Sequence, residues 1–511
     1  MALINWLAGL WYSDRYKQMD RMMACGEAMQ AEQLSHILRQ GSLTRFGAEH
    51  GLRPDMTYDE FARAVPVVDY EGFRPYVELM LQGQADVTWP GRVRWFAKSS
   101  GTSGSKSKFI PVTQEGLDGC HLRGTNDAVA TYMRLNPGTN VWRGKCLTLG
   151  GSKKLTPTGS GSQTGDLSAI MIGNAPFWSE FFKTPRKETA LLSEWEEKLE
   201  RITAETLSQN VTSLAGVPSW MMVLLKYMMD RKGVSTVAEL WPNLELFIHG
   251  GIGFEPYRAQ YDALCPKGMR YLETYNASEG FFGIQLDPTD RAMSLMLDYG
   301  TFYEFMPLSQ VGLEKPDGIV PLGGVQTGVD YALVITSVNG LWRYMIGDTV
   351  RFTSRNPYRF LISGRTKLYI NAFGEEVMIG NAEAAMTRAC HETGAEAREY
   401  TAAPVFMTES SRGCHEWMIE FNTPPADPAD FAARLDKALQ DVNSDYEAKR
   451  YKDITLAAPI VHLAPQGLFD SWLRGKGKMG GQNKVPRLRN DRAIMDELLE
   501  LARHTADGKE A

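Results

Sequence analysis

Through the middle of the chain, helical stretches alternate with short strand-like runs, and this alternation restricts the fold more than any other feature. Glu194 to Leu207 is charged and helical in pattern. Trp220 to Met229 is apolar nearly all round, as a buried helix is. Leu244 to His249 reads as a buried strand ending in Gly250-Gly251, and Tyr331 to Ser337 and Thr349 to Thr353 read as further strands. Helices interleaved with strands predict an α/β fold with large sheets. The chain has 511 residues, enough for about two to four domains. With 43% hydrophobic and 23% charged residues it has the apolar material for large cores.

A second, smaller α/β unit is expected to begin at Gly364, giving an N-terminal domain over 1–363 with mixed β-sheets flanked by helices and a C-terminal domain over 364–511. In the latter, Glu383 to Thr393 and Asp430 to Leu439 read as helices and Trp417 to Phe421 as a strand. Ser444 to Tyr451 is polar and is expected at the surface, and Gly475 to Gly481 is a basic, glycine-rich loop.

At the other end, Met1 to Tyr12 is apolar but is interrupted by Asn5 and ended by Asp14 and Arg15. That is too short to span a bilayer and lacks the basic flank of a signal peptide, so a surface-docked first helix is expected. Residues 15–50 read as helical, with Met22, Met23, Met29, Leu34, Ile37 and Leu38 on the apolar face. Thr57 starts a capped helix with Asp59 and Glu60 in its first turn. Val93 to Ala97 is a short strand, Phe109 to Val112 is extended, and Thr113 caps a helix reaching about Met133. No other apolar run has membrane length, and a cytoplasmic protein without a membrane span is expected.

A net charge of −6 argues against nucleic acid as the partner, because phosphate binding calls for a basic excess. The six cysteines form no C-x-x-C pair and the eight histidines are scattered, so a zinc or iron site is not expected and the thiols read as reduced.

The stretch Ser99-Ser-Gly-Thr-Ser-Gly-Ser-Lys-Ser-Lys108 carries the most chemistry. Glycines let backbone N–H groups turn toward an anion, and hydroxyls and lysines add donors and charge. It differs from the G-x-x-x-x-G-K-S/T nucleotide loop and joins two strands with no helix directly after it. A flexible Ser/Gly linker has the same composition, although a linker needs no lysines. Three later stretches bear on the choice. Tyr275-Asn-Ala-Ser-Glu279-Gly280 places a carboxylate after a strand, Arg343-Tyr-Met-Ile-Gly347-Asp348 places another at a turn, and Gly481-Gln-Asn-Lys484-Val-Pro-Arg487 places a lysine in a tight loop. Taken singly, each reads equally as a solvated surface charge.

The order of these stretches, with a hinge-like Gly364-Arg365 before the late lysine, resembles the adenylate-forming superfamily. More narrowly, the chain resembles the auxin-responsive acyl-acid amido synthetases, known from plants and also found in bacteria. The likeness runs through Thr44-Arg-Phe-Gly47, Phe96-Ala-Lys-Ser-Ser-Gly-Thr-Ser103, Lys108-Phe-Ile-Pro-Val-Thr113, Gly216-Val-Pro-Ser-Trp220, Gly340-Leu-Trp-Arg-Tyr344 and Lys484-Val-Pro-Arg487. One departure stands out: where plant members carry a lysine, the segment Asn371-Ala-Phe-Gly-Glu-Glu376 has Gly374.

The resemblance implies ATP and Mg²⁺ and assigns roles by position. Ser99, Ser100, Gly101, Thr102 and Ser103 line the phosphates; Ser278 lies near them; Tyr275 lies against adenine. Glu279 holds Mg²⁺, Asp348 accepts from the ribose hydroxyls with Arg365 beside it at the hinge, and Lys484 reaches the α-phosphate from a C-terminal domain that moves. Acyl-pocket candidates are Leu117, Cys120, His121 and Gly124, Val217 with Trp220, and Ile248, each of which reads equally as core. The expected reaction joins a small carboxylic acid to an amino acid, by a protein expected to be monomeric. An acyl-CoA ligase shares the first half-reaction, and a non-catalytic nucleotide-binding protein shares the fold, so both stay open.

Overall fold

The computed structural model describes residues 2–100, 107–150, 155–192, 194–313, 316–366, 369–408, 411–453, 455–476 and 485–506. These fall into two compact units, one within 1–99, 109–251 and 261–366 and the other within 100–108, 252–260 and 367–511.

The first unit is built on a twelve-stranded sheet whose two halves differ in kind. In one half, Lys183–Thr184, Lys145–Leu149, Val211–Gly216, Leu246–Gly250 and Arg270–Ala277 run parallel. Parallel neighbours need a crossover, and helix Pro218–Lys232 supplies one between Val211–Gly216 and Leu246–Gly250. Proline opens this helix, and Gly233 closes it in the left-handed conformation. Its methionines and leucines are buried around the barrel of the helix, as the apolar run from Trp220 implies.

The other half is an antiparallel meander. Gly280–Ile284 pairs with Met293–Leu295, which pairs with Tyr358–Arg365; that strand pairs with Leu341–Arg355, then Asp330–Ser337, Thr301–Pro307 and Val320–Pro321. Leu341–Arg355 is a single 15-residue strand, where only Thr349 to Thr353 read as strand and Asp348 was expected at a turn. The charged side chains of Arg343 and Asp348 break its sequence pattern. In the fold they are buried against partners on other strands of the sheet, Glu304 for Arg343 and Arg365 for Asp348, so the strand runs through them.

Helices Ala2–Ala24 and Gly26–Gly41 replace the single run expected from residue 15. The first helix continues through Asp14 and Arg15, where the apolar run ends. Arg15 donates from Nε to Asp127 Oδ2 at 2.8 Å and forks onto Asp298, while the Tyr299 hydroxyl donates to Asp127 at 2.7 Å. The buried carboxylate of Asp127 and the largely covered one of Asp298 thus hold the guanidinium against the body of the unit. Thr57 forms a full capping box: its backbone N–H donates to Glu60 Oε2 at 2.8 Å, and its Oγ1 accepts from the Glu60 N–H at 3.3 Å. Thr57→Ala is expected to destabilise this unit by about 1 kcal/mol, read as a small drop in thermal midpoint. An unchanged midpoint would mean that the tertiary contacts of Phe61 hold the helix without its cap.

A second sheet of four strands places Ser107–Val112 beside Trp95–Ser100, followed by Gln163–Gly165 and Thr156–Pro157. The Ser/Gly-rich stretch therefore connects neighbouring strands. Among the described residues no helix is long and apolar enough to cross a membrane.

The second unit has its own sheet, Glu396–Val405, Cys414–Thr423 and Ile460–Ala464. Alternation along the middle strand sends Trp417, Ile419 and Phe421 into one core with residues of helices Ile379–Thr393 and Pro428–Val442. Met418 points into another core, shared with Leu468, Met495 and Leu498. Ser444–Arg450 is not a surface segment as its polarity implies. It is a short helix capped by Asn443, with Tyr446 and Lys449 buried and the Tyr446 hydroxyl donating to Asp436 at 2.7 Å.

Candidate active site

In open α/β sheets ligands bind beyond the carboxyl ends of the parallel strands. Three candidate segments lie at those ends. Val217 follows Val211–Gly216, Gly251 follows Leu246–Gly250, and Ser278 and Glu279 follow Arg270–Ala277. Val217 lies beside Gly251, where a β-carbon on that glycine would make ordinary contact with its Cγ2 at 3.4 Å.

Asp348 and Arg365 are cross-strand partners, and Arg365 donates from Nε to Asp348 Oδ1 at 2.6 Å. The Tyr275 hydroxyl donates to the other oxygen, Oδ2. Burial and the Asp348 charge hold this phenol well above its ordinary range, so it stays a donor at working pH. Its ring packs edge-on against Phe282 at 5.1 Å and near Phe360 at 6.2 Å, within the core. A carboxylate offers about four lone-pair positions and two are engaged, which leaves Asp348 able to accept two more donors.

Glu279 is buried at the turn between Arg270–Ala277 and Gly280–Ile284, and its backbone carbonyl accepts from Asn339 Nδ2 at 3.3 Å. The Tyr344 hydroxyl is buried and has no hydrogen-bond partner among the described residues. Burial first, then the charge of Glu279, raises it well above the usual phenol range. A single carboxylate suits Mg²⁺ that arrives on phosphates and keeps its waters, rather than a protein-made cage. Among the described residues no group of three or more metal-ligating side chains forms.

The acyl-pocket candidates converge in part. The helix capped by Thr113 widens into a π-turn over Leu117–Leu122 before continuing as Arg123–Leu135. Leu117, Cys120 and His121 are all buried. Cys120 Sγ accepts from the Phe281 N–H at 3.1 Å, and burial pushes its thiol up to about 12. Gly124 lets the helix ride directly on Phe281, since a β-carbon there would lie 2.4 Å from the ring. His121 Nδ1 lies 3.0 Å from Asn276 Oδ1, so two segments 155 residues apart meet at the strand that carries Tyr275 and leads to Glu279. Trp220 is half-buried on Pro218–Lys232, and Ile248 is half-buried in Leu246–Gly250.

Ser99 is half-buried at the end of Trp95–Ser100, with Ser100 closing the strand. Gly101, Thr102, Ser103 and Lys484 lie outside the described residues. Asn276 carried no assignment in the sequence reading. Its signal was the strand alternation from Tyr275, which turns the next side chain to the opposite face. Gly374 has φ +88°, and a β-carbon on it would meet Lys449 Cε at 3.2 Å. A side chain at position 374 would therefore press on the stem of Lys449. Next to it, Glu375 accepts from the Ala372 and Phe373 N–H groups at 3.1 and 2.7 Å and pairs with buried His415 at 2.8 Å.

Comparison with known proteins extends over most of the chain. Residues 15–174 and 160–269 match the GH3 family N-terminal domain, 294–365 the GH3 family central domain and 380–493 the GH3 family C-terminal domain. The 4-substituted benzoates-glutamate ligase GH3.12 of Arabidopsis thaliana is 23% identical, over 92% of this chain and 94% of its own length. The indole-3-acetic acid-amido synthetase GH3.8 of Oryza sativa subsp. indica is 24% identical, over 93% and 90%. Among solved structures, the GH3.15 acyl acid amido synthetase aligns over 96% of this chain and 95% of its own, with 18% identity and a TM-score of 0.59. A 2-hydroxyisobutyryl-CoA ligase aligns over 93% and 92%, with 14% identity and a TM-score of 0.51.

Proposed function

The chain belongs to the GH3 family, and from that premise we propose that it is an ATP-dependent acyl-acid amido synthetase acting on a small carboxylic acid and an amino acid. A carboxylate oxygen of the acid attacks the α-phosphorus of ATP, the bond to pyrophosphate breaks, and an acyl-adenylate forms. The amine of an amino acid then attacks the acyl carbon. AMP leaves with the bonding pair, the nitrogen gives up a proton, and an amide remains.

The observation that carries this reading is Asp348. It is buried, fixed by Tyr275 and Arg365, and retains accepting capacity near the carboxyl ends of the parallel strands. Two vicinal ribose hydroxyls are the donors that such a carboxylate suits. The proposal gives Glu279 to Mg²⁺, which when bound would offset charge between the phosphate oxygens. It gives the phosphates to Ser99, Ser100, Gly101, Thr102, Ser103 and Ser278, and the α-phosphate to Lys484 during adenylation. The N-terminal adenylation domain is taken as 1–363 and the domain carrying Lys484 as 364–511. All six cysteines are unpaired, which fits a reducing compartment, and a cytoplasmic setting belongs to the proposal.

Pyrophosphate exchange into ATP, screened over a carboxylic-acid library, tests the first half-reaction. AMP release with pooled amino acids against coenzyme A tests the second. Exchange with at least one acid and amino-acid-dependent AMP release are expected; release driven by coenzyme A alone would replace amide synthesis by thioester synthesis. Lys484→Ala is expected to slow exchange by about a hundredfold with ATP affinity nearly unchanged, since it removes one contact made as charge develops. Near-normal exchange in that variant would remove Lys484 from the chemistry.

A further inference from the structure

His121 holds a buried nitrogen that no hydrogen bond among the described residues satisfies. Asn276 Oδ1 only accepts, so the ring nitrogen facing it at 3.0 Å, Nδ1, carries the proton. With the amide this way round, its Nδ2 faces Met171 Sδ at 3.8 Å. Nε2 is therefore a bare acceptor, and it has no hydrogen-bond partner among the described residues although the residue is 0% exposed. Burial pushes the imidazole down to about 4, against the opposing pull of Asn276, so the ring stays neutral. An unpaired buried acceptor costs stability, and native proteins retain few of them without a use.

Three features put this acceptor at the reacting end of the sheet. Its helix locally opens to a π-turn at Leu117–Leu122, a distortion that is frequent at functional sites. Its partner Asn276 directly follows Tyr275 and precedes Ser278 and Glu279. Asn276 is also only half-buried, so the pair runs from the fully enclosed ring of His121 to a partly exposed residue of the strand. Alternation puts Asn276 on the face opposite Tyr275 and Asp348, which excludes the ribose as the missing donor. An ionised substrate carboxylate is excluded as well, because it has no proton to donate.

Resting on the amido synthetase reading, we propose that His121 Nε2 selects the acid: the preferred substrate carries a hydrogen-bond donor, a hydroxyl or ring N–H, on the part remote from its carboxylate. Asn276 acts as a positioning residue that fixes the tautomer. A pocket built around one acceptor discriminates by leaving that acceptor unpaired when the donor is missing.

The test is pyrophosphate exchange with matched acids, 4-hydroxyphenylacetate against 4-methylphenylacetate and indole-3-acetate against 1-naphthaleneacetate, in the wild-type chain and His121→Leu. In the wild type, kcat/KM for the donor-bearing member of at least one pair should exceed its match by about tenfold or more. In His121→Leu that ratio should fall to near one, through loss on the donor-bearing acid. The thermal midpoint should hold or rise, because leucine is near in volume and removes the unpaired nitrogen. Equal treatment of both pairs by the wild type, or a ratio that survives in His121→Leu, would overturn the inference and leave the adenylation reading standing. Absence of exchange with every acid would overturn the adenylation reading, and this inference with it.

Discussion

If Asp348 holds the ribose as proposed, Asp348→Ala is expected to weaken ATP binding by about 3 kcal/mol or more, over a hundredfold in Kd, because two charge-assisted hydrogen bonds would be lost together. The same change leaves the Tyr275 hydroxyl and the Arg365 guanidinium without the oxygens they now face. Asp348→Asn separates the two effects: it keeps the shape and one acceptor but loses the charge, so it should retain more of the fold than of the affinity. Calorimetric titration with ATP on protein of matched thermal midpoint decides the point. If Kd is unchanged in Asp348→Ala, Asp348 is a structural clamp between Leu341–Arg355 and Tyr358–Arg365 and the nucleotide lies elsewhere. Tyr275→Phe should have the smaller effect, since Arg365 still holds the carboxylate.

Arg343→Ala is expected to destabilise the first unit by about 3–5 kcal/mol, the usual consequence of breaking a buried ion pair from one side. Arg343 meets Glu304 with two parallel bonds, Nε to Oε2 at 2.9 Å and a terminal nitrogen to Oε1 at 2.8 Å. Its other terminal nitrogen donates to the carbonyls of Ala62 and Val65 at 2.7 and 2.8 Å, and Tyr58 donates to Glu304 at 3.0 Å. One guanidinium thereby ties the helix Tyr58–Ala64 to two strands of the sheet, and it does so from a left-handed backbone at φ +39°. Without it, Glu304 is an uncompensated buried charge and two carbonyls lose their donor. The double variant Arg343→Met with Glu304→Leu should recover part of the loss, because no charge is then left unpaired. A drop of under a degree in the thermal midpoint of Arg343→Ala would show that water reaches Glu304 and that the pair is dispensable.

Arg343 also illustrates how a motif residue is read. In the sequence it belongs to Gly340-Leu-Trp-Arg-Tyr344, one of the stretches that carry the family resemblance, with no role of its own. In the fold it contacts no open site and serves the packing of the helix that starts at Thr57. His121 went the other way. In the sequence it was as easily core as pocket, and the structure made it informative by leaving one of its nitrogens unmatched.

What the sequence determined by itself is local or ordered along the chain. The capping box at Thr57, the buried helix from Trp220, the strand ending at Gly250 and the two strands around the Ser/Gly stretch follow from the periodicity and capping of neighbouring residues. The family follows from the order of several short motifs. What only the tertiary structure decided are pairings between distant residues: Tyr275 with Asp348 across 73 positions, Arg343 with Glu304 across 39, His121 with Asn276 across 155. Such pairs leave no periodic trace, and a charge that will be neutralised from another strand looks, one residue at a time, like a solvated turn. That is why Leu341–Arg355 was read as a fragment and a turn, and why Ser444–Arg450 was read as surface although Tyr446 and Lys449 are buried. Desolvation of a charge is decided by the partner that three-dimensional packing delivers, and that partner is the one thing a local pattern does not contain.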